Sequence, residues 1–173
     1  MVATLPLILF PFCLIAAALN DMREFKIPNE LSLILIAGFA GAALLTGMDL
    51  QALGNHALTA LIVLLVGFAL FCTNVFGAGD VKLLTVIALW LGWPSFLPCL
   101  IYIALFGGVL SVGIWGARFL ARAFPSFSMK YTSLTTLAAT ERLKAPYGVA
   151  ICIGTLLAFN QSPLFNALFA QIG

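Results

Sequence analysis

The sequence predicts an all-α integral membrane protein, a polytopic bundle of six transmembrane helices forming a single domain over residues 1–173, with both termini outside. Three observations lead there. The first is composition: 63% of the residues are hydrophobic, only 8% are charged, and the mean hydropathy is +1.15. A soluble domain carries about 45–50% apolar and about 25% charged residues, so this chain has too few charges to cover a water-facing surface. The second is segmentation, with apolar runs separated by short polar clusters. A bilayer crossing takes about 20 apolar residues. The third is that every Lys and Arg falls in alternate junctions between those runs. An ordinary soluble enzyme and a disordered chain are excluded. A net charge of +2 leaves no basic patch for phosphates, so no nucleic acid is expected as partner.

The runs read in order. Span one covers about Leu5 to Leu19 and ends at Asn20-Asp21. Ala16-Ala17-Ala18 looks like a signal cleavage site, but no Lys or Arg precedes the run, so it reads as a span that stays. Span two runs from about Leu31 to Thr46 and stops at Gly47-Met48-Asp49. Span three runs from about Ala57 to Phe76. The next apolar stretch is too long for one crossing, and Gly92-Trp93-Pro94-Ser95 breaks it. Span four is then about Asp80 to Trp93, and span five about Phe96 to Ala117. Span six is short, about Pro146 to Phe159, and the apolar tail Leu164–Phe169 is expected along the outer interface. Gly38 and Gly41, and Ala104, Gly108, Gly113 and Gly116, are candidate sites of close helix approach.

Basic residues stay on the cytoplasmic side during insertion. The first loop holds Arg23 and Lys26, the third Lys82, and the fifth Arg118, Arg122, Lys130, Arg142 and Lys144, which accounts for all eight. Loops one, three and five are therefore expected in the cytoplasm. Cys13, Cys72, Cys99 and Cys152 sit singly in apolar runs, without the paired spacing of a zinc or redox site, and read as small buried hydrophobes. No metal and no cofactor are expected.

Five of the six carboxylates share that side: Asp21, Glu24, Glu30, Asp80 and Glu141. Asp21 lies where span one reaches the surface and Asp80 where span four leaves it, at similar depth on different helices. Ionisable groups at such positions are costly and point to function. Two aspartates brought close cannot both ionise easily. One then activates water while the other, protonated, polarises a peptide carbonyl. The positions alone also fit a helix cap at Asp80 and a polar flank at Asp21. Local sequence adds detail. Gly77 and Gly79 give the backbone a tight turn before Asp80 and room for a substrate strand. Pro28 fixes the chain and keeps Ile27 extended, and Asn29 is placed to cap span two.

With these residues in view, the sequence resembles the type IV prepilin peptidase family of membrane aspartyl proteases. Gly77, Gly79, Asp80 and Lys82 match its G-x-G-D-x-K motif, and Asp21, Arg23, Ile27, Pro28 and Asn29 match a D-x-R-x-x-x-I-P-N stretch. Pro146-Tyr147-Gly148 is similar to a family feature that opens the last helix. The resemblance spans about Asp21 to Gly154. It implies removal of the leader from type IV prepilins and pseudopilins at the cytoplasmic face of the bacterial inner membrane, with Asp21 and Asp80 catalytic and no metal. Small size resembles the subgroup serving Flp-type tight-adherence pili. Larger members also N-methylate the product through an N-terminal segment with paired cysteines, so peptidase activity alone is expected here. The partners implied are a prepilin and membrane lipid, and the oligomeric state is open. A non-enzymatic reading, a small transporter or a pilus-assembly scaffold, stands beside this one.

The remaining polar residues each carry two readings. Lys82 points away from Asp80 on a helix and either favours an ionised carboxylate through space or meets a lipid head group. Arg23 and Lys26 anchor topology. Glu24, Glu30 and Glu141 are solvated loop charge or attract a basic leader. His56, alone at the far end, reads as structural. The fifth loop, Arg118 to Lys144, mixes Arg118, Arg122 and Lys130 with Phe119, Phe124, Phe127 and Tyr131, a composition suited to an anionic membrane surface or to gating substrate entry.

Overall fold

The computed structural model describes residues 4–74, 76–123 and 147–172, and among these there are helices and no strands. The helices are α1 (Thr4–Glu24), α2 (Asn29–Thr46), α3 (Leu50–Cys72), α4 (Ala78–Ala123), α5 (Tyr147–Phe159) and α6 (Pro163–Ala170). Their ends follow from local chemistry. Phe25 takes a left-handed φ of 52° and closes α1. Gly47, at φ 63°, ends α2, and Met48 N–H reaches back to the Ala43 carbonyl at 3.0 Å, which satisfies carbonyls the helix leaves open. Asp49 accepts from Ala52 N–H at 2.8 Å and starts α3. Ser162 accepts from Phe165 N–H at 3.1 Å and starts α6 just before Pro163.

α4 is 46 residues long. Straight, it would reach about 70 Å, more than twice a hydrocarbon core of about 30 Å. It is not straight. Gly92 sits at φ 67°, ψ 171°, a conformation open almost only to glycine. The cross-contacts show that the chain reverses there. On one side, Lys82 meets Asn29 and Trp90 meets Leu35, so residues 78–91 run parallel to α2. On the other, Ser95 meets Gln161, Cys99 meets Thr155 and Ile103 meets Gly154, so residues 93–123 run antiparallel to α5. α5 in turn runs antiparallel to α1, with Phe10 against Phe159 and Asp21 against Gly148. The break frees the Leu89 carbonyl, and the buried His56 ring supplies a donor through Nδ1 at 2.7 Å. A carbonyl only accepts, so Nδ1 carries the proton. His56 is structural, as its isolation in the sequence indicates.

The core lies where α1, α2, α4 and α5 converge. Phe10 packs against Trp90 and Phe159 in tilted pairs with ring centroids 4.6 and 4.4 Å apart, and Trp90 Nε1–H donates to the Leu35 carbonyl at 2.9 Å. α6 bends 56° from α5 and touches α1, α2 and α4. The apolar tail thus packs onto the bundle through buried Leu164 and Leu168.

Several boundaries and contacts differ from the sequence reading. α1 continues past Leu19, so Asp21 is inside the helix and not at its flank. α3 begins at Leu50 rather than near Ala57 because Asp49 caps it. Gly38 does pack, against Leu9 and Trp90, whereas Gly41, Gly108, Gly113 and Gly116 have nothing within 4 Å of a would-be side chain, and Ala104 is exposed. Further close approaches are at Gly67, against Val81, at Gly107, against Tyr147, and at Gly154, against the Ile103 backbone. Cys13, Cys99 and Cys152 are buried, but Cys72 is exposed at the end of α3. Phe124, Phe127, Lys130, Tyr131, Glu141, Arg142, Lys144 and Pro146 lie outside the described residues.

Among the described residues, four helices are long and apolar enough to cross a membrane, or five if the bent pair α5–α6 is one span; α4 counts once in that number. This is a multi-pass membrane protein. The reversal at Gly92 makes a direct prediction. Gly92→Ala forces an L-residue into that conformation and drives its Cβ to 3.0 Å from the His56 ring. The expected cost is about 1–3 kcal/mol, read as a lowered Tm of the detergent-solubilised protein.

Candidate active site

All the charged residues singled out in the first and third loops gather at one end of the bundle, opposite Asp49 and His56. Asp21 is the buried one, 7% exposed, on the last turn of α1. Its Oδ2 accepts from the Gly148 backbone N–H at 2.7 Å. Gly148 is the second residue of α5, and its N–H is one of those with no partner inside the helix. The helix N-terminus thus supplies both a donor and the positive end of its dipole to a carboxylate. That contact needs glycine. A Cβ at position 148 would stand 2.8 Å from both Cβ and Oδ2 of Asp21.

Asp80 is half-buried in the first turn of α4. The helix begins at Ala78, so Asp80 does not take the cap position. Neither Gly77 nor Gly79 has a positive φ. Their lack of a side chain serves approach rather than turning. The Asp80 carboxylate lies 3.1 Å from where a Gly77 Cβ would be, and Ile27 lies 3.3 Å from that of Gly79. Asn29 does not cap α2. The cap position is Pro28, extended at ψ 141°, and the Asn29 side chain instead accepts from Lys82 Nζ at 2.9 Å. Lys82 therefore binds a neighbouring motif residue. The stretch from Ile27 to Asn29 lies along the first turn of α4, and the two motifs, far apart in the chain, meet through Ile27–Gly79 and Asn29–Lys82.

The comparison with protein families bears on this geometry. The model described as the type IV leader peptidase family matches residues 8–112, more than half of the chain. The chain belongs to that family. No curated protein and no solved structure matches it. The part matched to the leader peptidases holds both motif stretches, while Gly148 lies beyond it.

In this member of the family, Arg23, Glu24, Lys26 and Glu30 are exposed. Among the described residues, no three or more His, Cys, Asp and Glu side chains come together as a metal site. An apolar cavity of about 280 Å³ opens between α3 and α4 and touches Phe76 and Val81, on either side of the Gly77–Asp80 turn; neither aspartate lines it. Ser32, one turn beyond Asn29, is a polar residue that sequence reasoning passed over. Its Oγ is buried and has no hydrogen-bond partner among the described residues. Its only sequence signal is a hydroxyl inside an apolar run. The arrangement offers one carboxylate held through Oδ2 by a helix N-terminus and a second on the motif that the Ile27–Asn29 stretch touches, a pattern suited to acid–base work on a peptide bond. Gly148→Ala is expected to displace Asp21. Overpacking of this kind costs about 1–3 kcal/mol, read as a lowered Tm of the detergent-solubilised protein.

Proposed function

We propose that this chain is an aspartyl endopeptidase that cuts the leader from type IV prepilins and pseudopilins of the Flp type at the cytoplasmic face of the bacterial inner membrane. The observation that carries the proposal is the junction of the two aspartate-bearing motifs at the charged end of the bundle. Asp21 and Asp80 are its catalytic residues, and the whole chain acts as one six-span domain with both termini outside. The opposed directions of the two halves of α4 support six crossings. The shared location of Arg23, Lys26 and Lys82 supports a cytoplasmic orientation of this end.

The reaction needs no group beyond the two side chains, water and the substrate. In the reaction one carboxyl group acts ionised and the other protonated. The ionised carboxylate takes a proton from water as the oxygen attacks the scissile carbonyl. The protonated carboxyl group hydrogen-bonds the carbonyl oxygen. Collapse of the tetrahedral intermediate breaks the C–N bond, and the leaving amine takes up a proton. One water is consumed, and a new carboxylate and a new amino terminus result. The substrate enters with its apolar stem in the membrane and its leader on the cytoplasmic side. The leader–stem junction must be extended to reach the acids.

Purified protein with a prepilin in detergent provides the test. Asp21→Asn and Asp80→Asn are each expected to lower cleavage by about 10²–10⁴-fold while leaving the protein folded. Full cleavage by both variants would refute the assignment and favour a transporter or scaffold.

A further inference from the structure

Lys82 and Asn29 lie on different motifs, and neither has a chemical task in the hydrolysis above. Their contact is nonetheless specific. Lys82 Nζ donates to Asn29 Oδ1 at 2.9 Å, across 53 positions of sequence. A second contact sits beside it in the same sense, with Ile27 Cβ 3.3 Å from a would-be Gly79 Cβ. The two contacts bracket Asp80, which lies between Gly79 and Lys82 on the first turn of α4.

The other end of the bracket leads to Asp21. Phe25 N–H donates to the Asp21 carbonyl at 3.0 Å, and Phe25 is left-handed. Pro28, at φ −60°, fixes the entry to α2. Only residues 25–28 separate the end of α1 from the start of α2 at Asn29. Whatever holds Asn29 against α4 therefore holds the Asp80 turn against the segment that leaves Asp21.

We infer that Lys82 and Asn29 are positioning residues, a polar clamp that sets the register of the Asp80 turn against the Asp21 segment. Lys82 serves here as a donor to Asn29. Its alternative use, a through-space charge on Asp80, needs no partner at position 29. The side-chain directions argue against that use, because residues two apart on a helix face apart. Asn29 suits the clamp because its Oδ1 accepts while Pro28, lacking an N–H, already occupies the cap position. The inference rests on Asp21 and Asp80 being the catalytic pair, and the experiment separates the two.

Leader cleavage by the full-length protein in detergent is measured as kcat and KM per folded molecule, with folding scored by size exclusion and Tm. Lys82→Met and Asn29→Leu are each expected to lower kcat by roughly five- to tenfold, the scale of one hydrogen bond, with KM little changed. The double variant is expected to lose no more than either single, since both remove the same bond. Lys82→Arg keeps a donor and is expected to recover most of the kcat lost in Lys82→Met. Undiminished kcat in Asn29→Leu, or additive losses in the double variant, would overturn the clamp while Asp80→Asn remained inactive. Cleavage surviving in both Asp21→Asn and Asp80→Asn would instead overturn the underlying assignment.

Discussion

The structure depends on one reversal of the chain at Gly92. In a lipid environment every backbone polar group must find a partner within the protein, so a helix cannot simply stop halfway through its course. Here the break frees the Leu89 carbonyl, and His56 from α3 reaches over to satisfy it. Gly92 supplies the backbone conformation, and His56 supplies the lost hydrogen bond. Together they let one long apolar stretch leave the motif end of the bundle and return to it. Without that return α5 would not lie antiparallel to α1, and no helix N-terminus would meet Asp21.

The consequence travels through contacts that need small residues. Apolar attraction between helices is weak in lipid, so close backbone approach and a few hydrogen bonds fix the arrangement. Gly154 lets α5 press on the Ile103 backbone, Gly38 admits Leu9 and Trp90, and Trp90 donates to Leu35. These contacts fix α5 and α4 against α1 and α2. The same principle operates at the motif end, where Gly79 admits Ile27 and Gly148 admits Asp21. Packing and site geometry are thus made from one device used repeatedly, a missing side chain at the point of contact.

Much of this was legible in the sequence. Apolar runs located the helices, the Gly92 region marked the break, and the two motif aspartates came to the same end of the bundle. What escaped was whatever depends on contacts between distant segments. Asn29 follows a proline before a helix and so reads as a cap. Its side chain is taken by Lys82, and a local rule has no means of seeing residue 82. Gly108, Gly113 and Gly116 have the spacing of packing glycines, but their face of α4 meets no helix among the described residues, and composition alone does not say which face of a helix is covered. Asp21 reads as a flank because charge normally ends a span. It is buried because α5 brings a donor to it, a partner 127 positions away.

That last point explains where in such a bundle hydrolysis can occur. A carboxylate 7% exposed is costly unless it is hydrogen-bonded. Helix ends are where unpaired backbone N–H groups exist, and in a spanning bundle those ends lie at the membrane surface. The surface is also where water is at hand and where a substrate backbone can be extended without stranding its own N–H and C=O groups in hydrocarbon. The donor for the acid, the water and an unwound peptide are therefore available together at an end of the bundle and not at its middle. In this bundle the buried Asp21, and the contacts of the Ile27–Asn29 stretch with the first turn of α4, lie at such an end.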